Sequence, residues 1–176
     1  MYKSLSILIN LLSFIILTTF VVHSNAYAFT LKTNAFQDKG SLPILYTCDG
    51  NDISPALSWI NPPAKTASFA LILSDPDAPG GTFYHWILYN IPVTITTLPE
   101  GLTQLPTGVA AGKNNWEKAK YNGPCPPKGT THHYIFTLYA LDKELSLPSG
   151  ISAPSLLKAI HKHILGKAEL NVRFSH

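Results

Sequence analysis

Residues 83–92 read Phe-Tyr-His-Trp-Ile-Leu-Tyr-Asn-Ile-Pro. Aromatic and β-branched side chains dominate this stretch, which favours a pleated strand, and Pro92 stops it because proline has no N–H to give a ladder. If the residues alternate strictly, His85 shares one face with Phe83 and Ile87 while Tyr84 and Trp86 point the other way. Immediately upstream, Asp75–Gly81 is dense in proline and glycine and reads as an ordered loop. Before that loop, Thr66-Ala-Ser-Phe-Ala-Leu-Ile-Leu-Ser74 is an apolar run too short for a helix, which fits a central strand. Further strands are expected at His133–Leu141 and Ala168–Phe174, and an edge strand at Phe29–Phe36.

One late segment reads as a helix. Ser152 can cap it, Pro154 suits its first turn, and Leu156, Leu157, Ile160 and Ile164 form an apolar stripe that Gly166 would end. His161 and His163 lie off that stripe, on an expected solvated face. The pattern is mainly β with one late helix, in a single domain spanning residues 29–176.

Composition agrees. Only 13% of the residues are charged, against roughly 25% in an average soluble chain. The apolar share of 45% supplies a core, so disorder and coiled coil are excluded. A formal net charge of +3, spread over scattered lysines, gives no basic stripe for nucleic acid.

The N-terminus reads as an address. Lys3 precedes an apolar stretch from Leu5 to Val22, and Ala26-Tyr27-Ala28 offers the small-residue pattern of a signal-peptidase site. Residues 1–28 are therefore expected to be a signal peptide cleaved after Ala28. The mature chain would be periplasmic or secreted and would not span a membrane; an uncleaved anchor is the alternative. Cys48 and Cys125 are the only cysteines, and in an oxidising compartment an even pair reads as one structural disulfide. No CxxC or HxxxH spacing accompanies them, so neither a metal site nor a cofactor is expected.

Three clusters combine ionisable groups with stiff backbone. Asp75-Pro-Asp77-Ala-Pro79 places two carboxylates at a strand end. His85-Trp86 follows in the next strand. Gly123-Pro-Cys125-Pro-Pro127-Lys-Gly129 leads into Thr131-His132-His133-Tyr134. Taken in order, these clusters resemble the phosphatidylethanolamine-binding protein family, in particular its bacterial Raf kinase inhibitor-like branch. Asp49-Gly-Asn-Asp-Ile-Ser-Pro-Ala-Leu-Ser-Trp59 and Tyr121-Asn-Gly-Pro-Cys125 match the same branch, so the likeness covers the whole chain from Phe29 onward.

The resemblance implies a β-sandwich-like fold, with a large antiparallel sheet beside a smaller one and a small anion pocket at one end. Carried over, Asp75, His85, His132 and Tyr134 would line the pocket, with Pro127 and the Cys125 region as a wall. Asp77 would be the structural acid of the turn and the Ala78–Pro79 bond would be cis. Many relatives have arginine where this chain has His133, so a pair with Asp77 would here depend on histidine protonation. Asn115 and Glu117 also depart from the branch, which leaves the shape of their loop open.

The implied function is an exported, non-enzymatic binding protein for a small phosphorylated anion or phospholipid headgroup, possessing a surface that could modulate a partner. Two alternatives stand beside it. One is an inhibitor of a protease or kinase acting through the proline-stiffened loops. The other is a small hydrolase using Asp75, His85 and His132, although no recognisable serine or cysteine nucleophile accompanies them.

Overall fold

The computed structural model describes residues 27–176. The expected signal segment falls almost wholly outside that range. In chain order the elements are β1 (Thr30–Lys32), β2 (Gly40–Ser41), β3 (Leu57–Ile60), β4 (Ser68–Asp75), β5 (Phe83–Pro92), β6 (Thr97–Leu98), β7 (Ala110–Ala111), β8 (Thr131–Leu141), α1 (Ala153–Ile160) and β9 (Ile164–Ser175). Six strands form a large sheet in the order β2-β9-β8-β4-β5-β7, and β1-β3-β6 form a small one. The large sheet is antiparallel except at one edge, where β2 runs parallel to β9. None of the described helices is long and apolar enough to cross a membrane.

The large sheet is covered on both faces, which explains the unbroken apolar run in β4. Phe69, Leu71 and Leu73 face the small sheet and join Trp59, Trp86, Leu88, Phe136 and Leu138 in the main core. Ala70 and Ile72 point the opposite way and pack with Ile87, Tyr89, Leu141, Leu156 and Ile160 beneath α1. Burying each side chain of the Leu, Ile or Phe class contributes about 1.5–3 kcal/mol, so these two layers dominate the stability of the fold.

Two sequence expectations give way to sheet pairing. Helix α1 begins as expected, with the Ser152 hydroxyl accepting the Ser155 N–H. It ends at Ile160, because Ile164 and Gly166 pair with Leu141 and Ala140 in the β8–β9 ladder. Gly166 is a strand glycine, not a stop signal: a Cβ there would meet Pro63 Cγ at 2.8 Å. The strand expected over residues 29–36 is shorter, because β3 pairs only with Thr30–Lys32.

Strict alternation in β5 also fails, and the site depends on that failure. Leu73 pairs with Trp86 but Ser74 pairs with Tyr84, so His85 is the extra residue of a bulge. Ile87 therefore packs on the helix side with Tyr84. His85 instead meets Tyr134 of the main core, with ring centroids 5.4 Å apart. A second irregularity further along β5 coincides with Asn90, whose φ of 54° is left-handed. The Asn90 side chain donates to Leu145 O and accepts from Leu145 N, which fixes the approach to α1.

Candidate functional site

Because β4 runs antiparallel to both β5 and β8, the end of β4 and the starts of the other two meet at one end of the sheet. That brings Asp75, His85 and His132 together, all buried at 4%, 3% and 6% exposure. They line a cavity of about 140 Å³ with Phe83, Trp116, Cys125, Pro126 and Pro127, and with Ala78 and Pro79 from the β4–β5 turn. The walls are mainly rings and prolines, which lose little freedom when a ligand is enclosed.

Each polar group in the cavity has a fixed orientation. Asp75 Oδ1 accepts the Asp77 N–H at 2.9 Å, and Asp75 Oδ2 lies 2.8 Å from His132 Nδ1. The carboxylate is thereby occupied on both oxygens and holds His132 with its Nδ1–H inward, leaving Nε2 as the ring's other polar atom. His85 Nδ1 lies 3.0 Å from Asn122 O and 3.2 Å from Gly123 O. Carbonyl oxygens only accept, so Nδ1 carries a proton and donates. His85 Nε2 is buried without a hydrogen-bond partner. Burial also pushes the His85 pKa below the ordinary histidine value, because the charged form is poorly solvated there. At neutral pH this ring presents a bare lone pair at Nε2.

The carbonyls that hold His85 are themselves braced. Asp52 accepts the Gly123 N–H and, at 3.1 Å, an Asn122 side-chain N–H. Cys48 donates its N–H to Pro124 O and is joined to Cys125 by the expected disulfide, so the segment is pinned beside residues 46–48. Asn114, 2% exposed, organises the other wall. Its amide donates to His85 O, Lys120 O and Asn122 Oδ1 while its carbonyl oxygen accepts the Trp116 and Lys118 N–H groups. Trp116 is thus aimed at the cavity, edge-on to Phe83 at 4.6 Å and to His85 at 5.2 Å.

The remaining predicted residues fall close by. Tyr134 does not line the cavity; it sits behind it, against His85 and His132. Its hydroxyl is buried without a partner, and burial together with the Asp75 charge pushes the phenol up. Asp77 lies outside, with Oδ2 2.7 Å from both the backbone N and Nδ1 of His133. The Ala78–Pro79 peptide is trans, not cis. The turn closes through a Gly81 N–H to Ala78 O bond at 3.0 Å, and trans is the favoured isomer of an X–Pro bond. His161 stays exposed, whereas His163 Nδ1 lies 2.9 Å from Asp142 Oδ1, far from the cavity.

Sequence reasoning missed Trp116, Phe83, Asn114 and Pro126. Trp116 sits in the polar stretch Asn114-Asn-Trp-Glu-Lys118, which carries no strand or helix period. Its only signal was a large aromatic ring in a loop otherwise unsuited to bury one.

The family model for phosphatidylethanolamine-binding protein matches residues 32–175. The chain belongs to that family. Its relatives are widely spread. The UPF0098 protein of Methanothermobacter thermautotrophicus is 48% identical over 143 residues, covering 80% of this chain and 94% of that one. LppC of Mycobacterium tuberculosis, named as a candidate lipoprotein, is 39% identical over 142 residues, covering 80% and 69%. The crystal structure of Escherichia coli YbcL, described as a new member of the mammalian family, superposes with a TM-score of 0.80 at 33% identity. It covers 84% of this chain and 98% of YbcL. This phosphatidylethanolamine-binding protein family member therefore has its relatives' fold, a mainly β domain of two sheets and one helix.

Proposed function

We propose that this domain is an exported, non-enzymatic binding protein whose cavity takes a small phosphorylated anion, either free or as a phospholipid headgroup. The observation that carries the reading is the unpartnered Nε2 of His85, buried in the wall of a cavity already occupied on its other side by the Asp75–His132 pair. A buried polar atom left without a partner is costly, and a ligand that supplies one recovers that cost.

The charge balance shapes the ligand. The cavity lining contains no lysine or arginine, and its one carboxylate is already hydrogen-bonded. A neutral His85 accepts but cannot donate at Nε2. To bond His85 Nε2, a phosphoryl group must therefore arrive with a proton on one oxygen, or His85 must take up a proton as the anion enters. Either route couples binding to protons. Affinity should fall as pH rises, approaching tenfold per pH unit where one proton accompanies each ligand. The pocket has no arginine fork, so affinity should be modest.

Two further observations favour binding over turnover. Among the described residues lining the cavity there is no hydroxyl, and its only sulfur, in Cys125, is tied in the disulfide. Export is supported by the apolar leader ending at Ala28 and by the lipoprotein name of the mycobacterial relative.

The test is an NMR titration of the oxidised protein with phosphoethanolamine and with inorganic phosphate at pH 6 and pH 8. Saturable shifts of the His85 and His132 rings, tighter at pH 6 and abolished by His132→Ala, are the expected result. Equal responses to both probes would assign the site to phosphate itself, and a stronger response to phosphoethanolamine would assign it to the headgroup. No shift at either pH would overturn the anion reading and direct attention to protein partners such as a protease or kinase.

A further inference from the structure

The Cys48–Cys125 disulfide lies at the surface, and a third ligand for soft metal ions stands beside it. His176 Nδ1 is 4.0 Å from Cys48 Sγ. The two sulfurs and an imidazole nitrogen all lie within 4.8 Å of one another. The histidine is anchored there. Its backbone N–H donates to Thr130 O at 3.4 Å and its main-chain oxygen accepts the Gly129 N–H at 2.8 Å. Its other ring nitrogen, Nε2, faces Asp49 Oδ1 at 3.5 Å.

That arrangement is the one metal-bound histidines adopt: one ring nitrogen toward the metal and the other N–H toward a carboxylate that fixes the tautomer and raises basicity. The three donors come from residues 48, 125 and 176, so no local spacing in the sequence announces them.

We propose that reduction of this disulfide opens a Cys₂His site for a thiophilic divalent ion of the zinc class. A dithiol reductant supplies two electrons and two protons. The Cys48–Cys125 bond breaks, two thiols form, and the reductant leaves as its own disulfide. The ion then displaces both thiol protons and binds Cys48 Sγ, Cys125 Sγ and His176 Nδ1, with water completing a tetrahedron. Thiolates bound at about 2.3 Å stand about 3.8 Å apart in such a tetrahedron, so side-chain rotation alone brings this cluster to size. Both cysteines are exposed, which gives the reductant access, and exposed disulfides are the more readily reduced class. Two thiolates balance the ion's charge, and Asp49 steadies the imidazole.

The experiment reduces the full protein with a phosphine, which ends as the phosphine oxide, removes the excess without oxygen, and titrates with Co²⁺. One ion per chain is expected, with thiolate-to-cobalt charge-transfer absorption and the intense d–d bands of a tetrahedral site. Zn²⁺ should displace both signals, and the oxidised protein should show neither. His176→Ala should weaken Co²⁺ binding at least tenfold, and Asp49→Asn roughly tenfold. Circular dichroism follows the fold throughout. Three results would overturn the proposal: equal Co²⁺ affinity in His176→Ala and the native protein, a spectrum without charge transfer, or loss of the folded signature on reduction before metal is added.

Discussion

Two histidine–aspartate pairs sit side by side in this molecule and differ almost solely in their surroundings. His132–Asp75 and His133–Asp77 join the same two segments at 2.8 and 2.7 Å. The first pair has side chains 8% and 5% exposed, the second 59% and 41%. Strand β8 alternates, so consecutive histidines fall on opposite sides of it, and only one is carried into the cavity. The inner pair orients a ring that faces the proposed ligand. The outer pair tethers the β4–β5 turn to the start of β8. Nearly equal hydrogen-bond lengths thus conceal unequal consequences, because an ionic group cut off from water depends far more on its partner.

The largest expected effect comes from breaking the inner pair. Asp75→Ala should cost about 3 kcal/mol in urea denaturation, the lower end for removing one partner of a buried pair, and should abolish the pH 6 phosphate response. A loss below that of the outer-pair variant would dissolve the distinction. The second effect is a pH dependence from His85, the buried ring facing the inner pair. Its folded pKa is below its unfolded value, so the unfolded chain binds more protons as pH falls below about 6.5. Stability should therefore decrease on acidification from pH 7 toward pH 5, and His85→Gln should flatten that slope in thermal melts. Phosphate should offset the acid loss in the native protein only.

The smallest effect belongs to the outer pair. Asp77→Asn should cost no more than about 1 kcal/mol, as exposed ion pairs do, and should weaken further in salt. The His133 backbone N–H, and then its side chain, hold the Asp77 carboxyl below the usual carboxylate range. A depressed carboxyl contributes above its unfolded pKa of about 4 and is lost below it, so this term acts in a more acidic window than that of His85. A double-mutant cycle of Asp75 and Asp77 should be nearly additive if the two pairs are independent.

Much of this was legible in the chain itself. The apolar run of β4, the aromatic run of β5 and the period-two pattern of β9 are local signals, and local signals specify strands. The resemblance carried by residues 75–79, 85–86 and 126–134 brought Asp75, His85 and His132 into one site. What stayed hidden was decided by pairing across the sheet. The bulge at His85 exists because Leu73 and Ser74 choose partners two residues apart, and nothing within β5 signals it. Ile164 looked helical because its spacing from Ile160 is helical, but Leu141 offered it a ladder position. Asn114 looked like any loop asparagine until five hydrogen-bonding groups converged on its side chain.

The parallel pairing of β2 with the far end of β9 carries a consequence for how the chain acquires its shape. Residues 40–41 wait for residues 172–173, and β8 waits for β9 along its whole length. A polypeptide emerging N-terminus first can form the β4–β5 hairpin early, but it cannot complete the large sheet until its last strand has been made. Such distant pairings carry a large loop-closure entropy and slow the final step. The large sheet is thus held open by its own topology until residues 164–175 are in place.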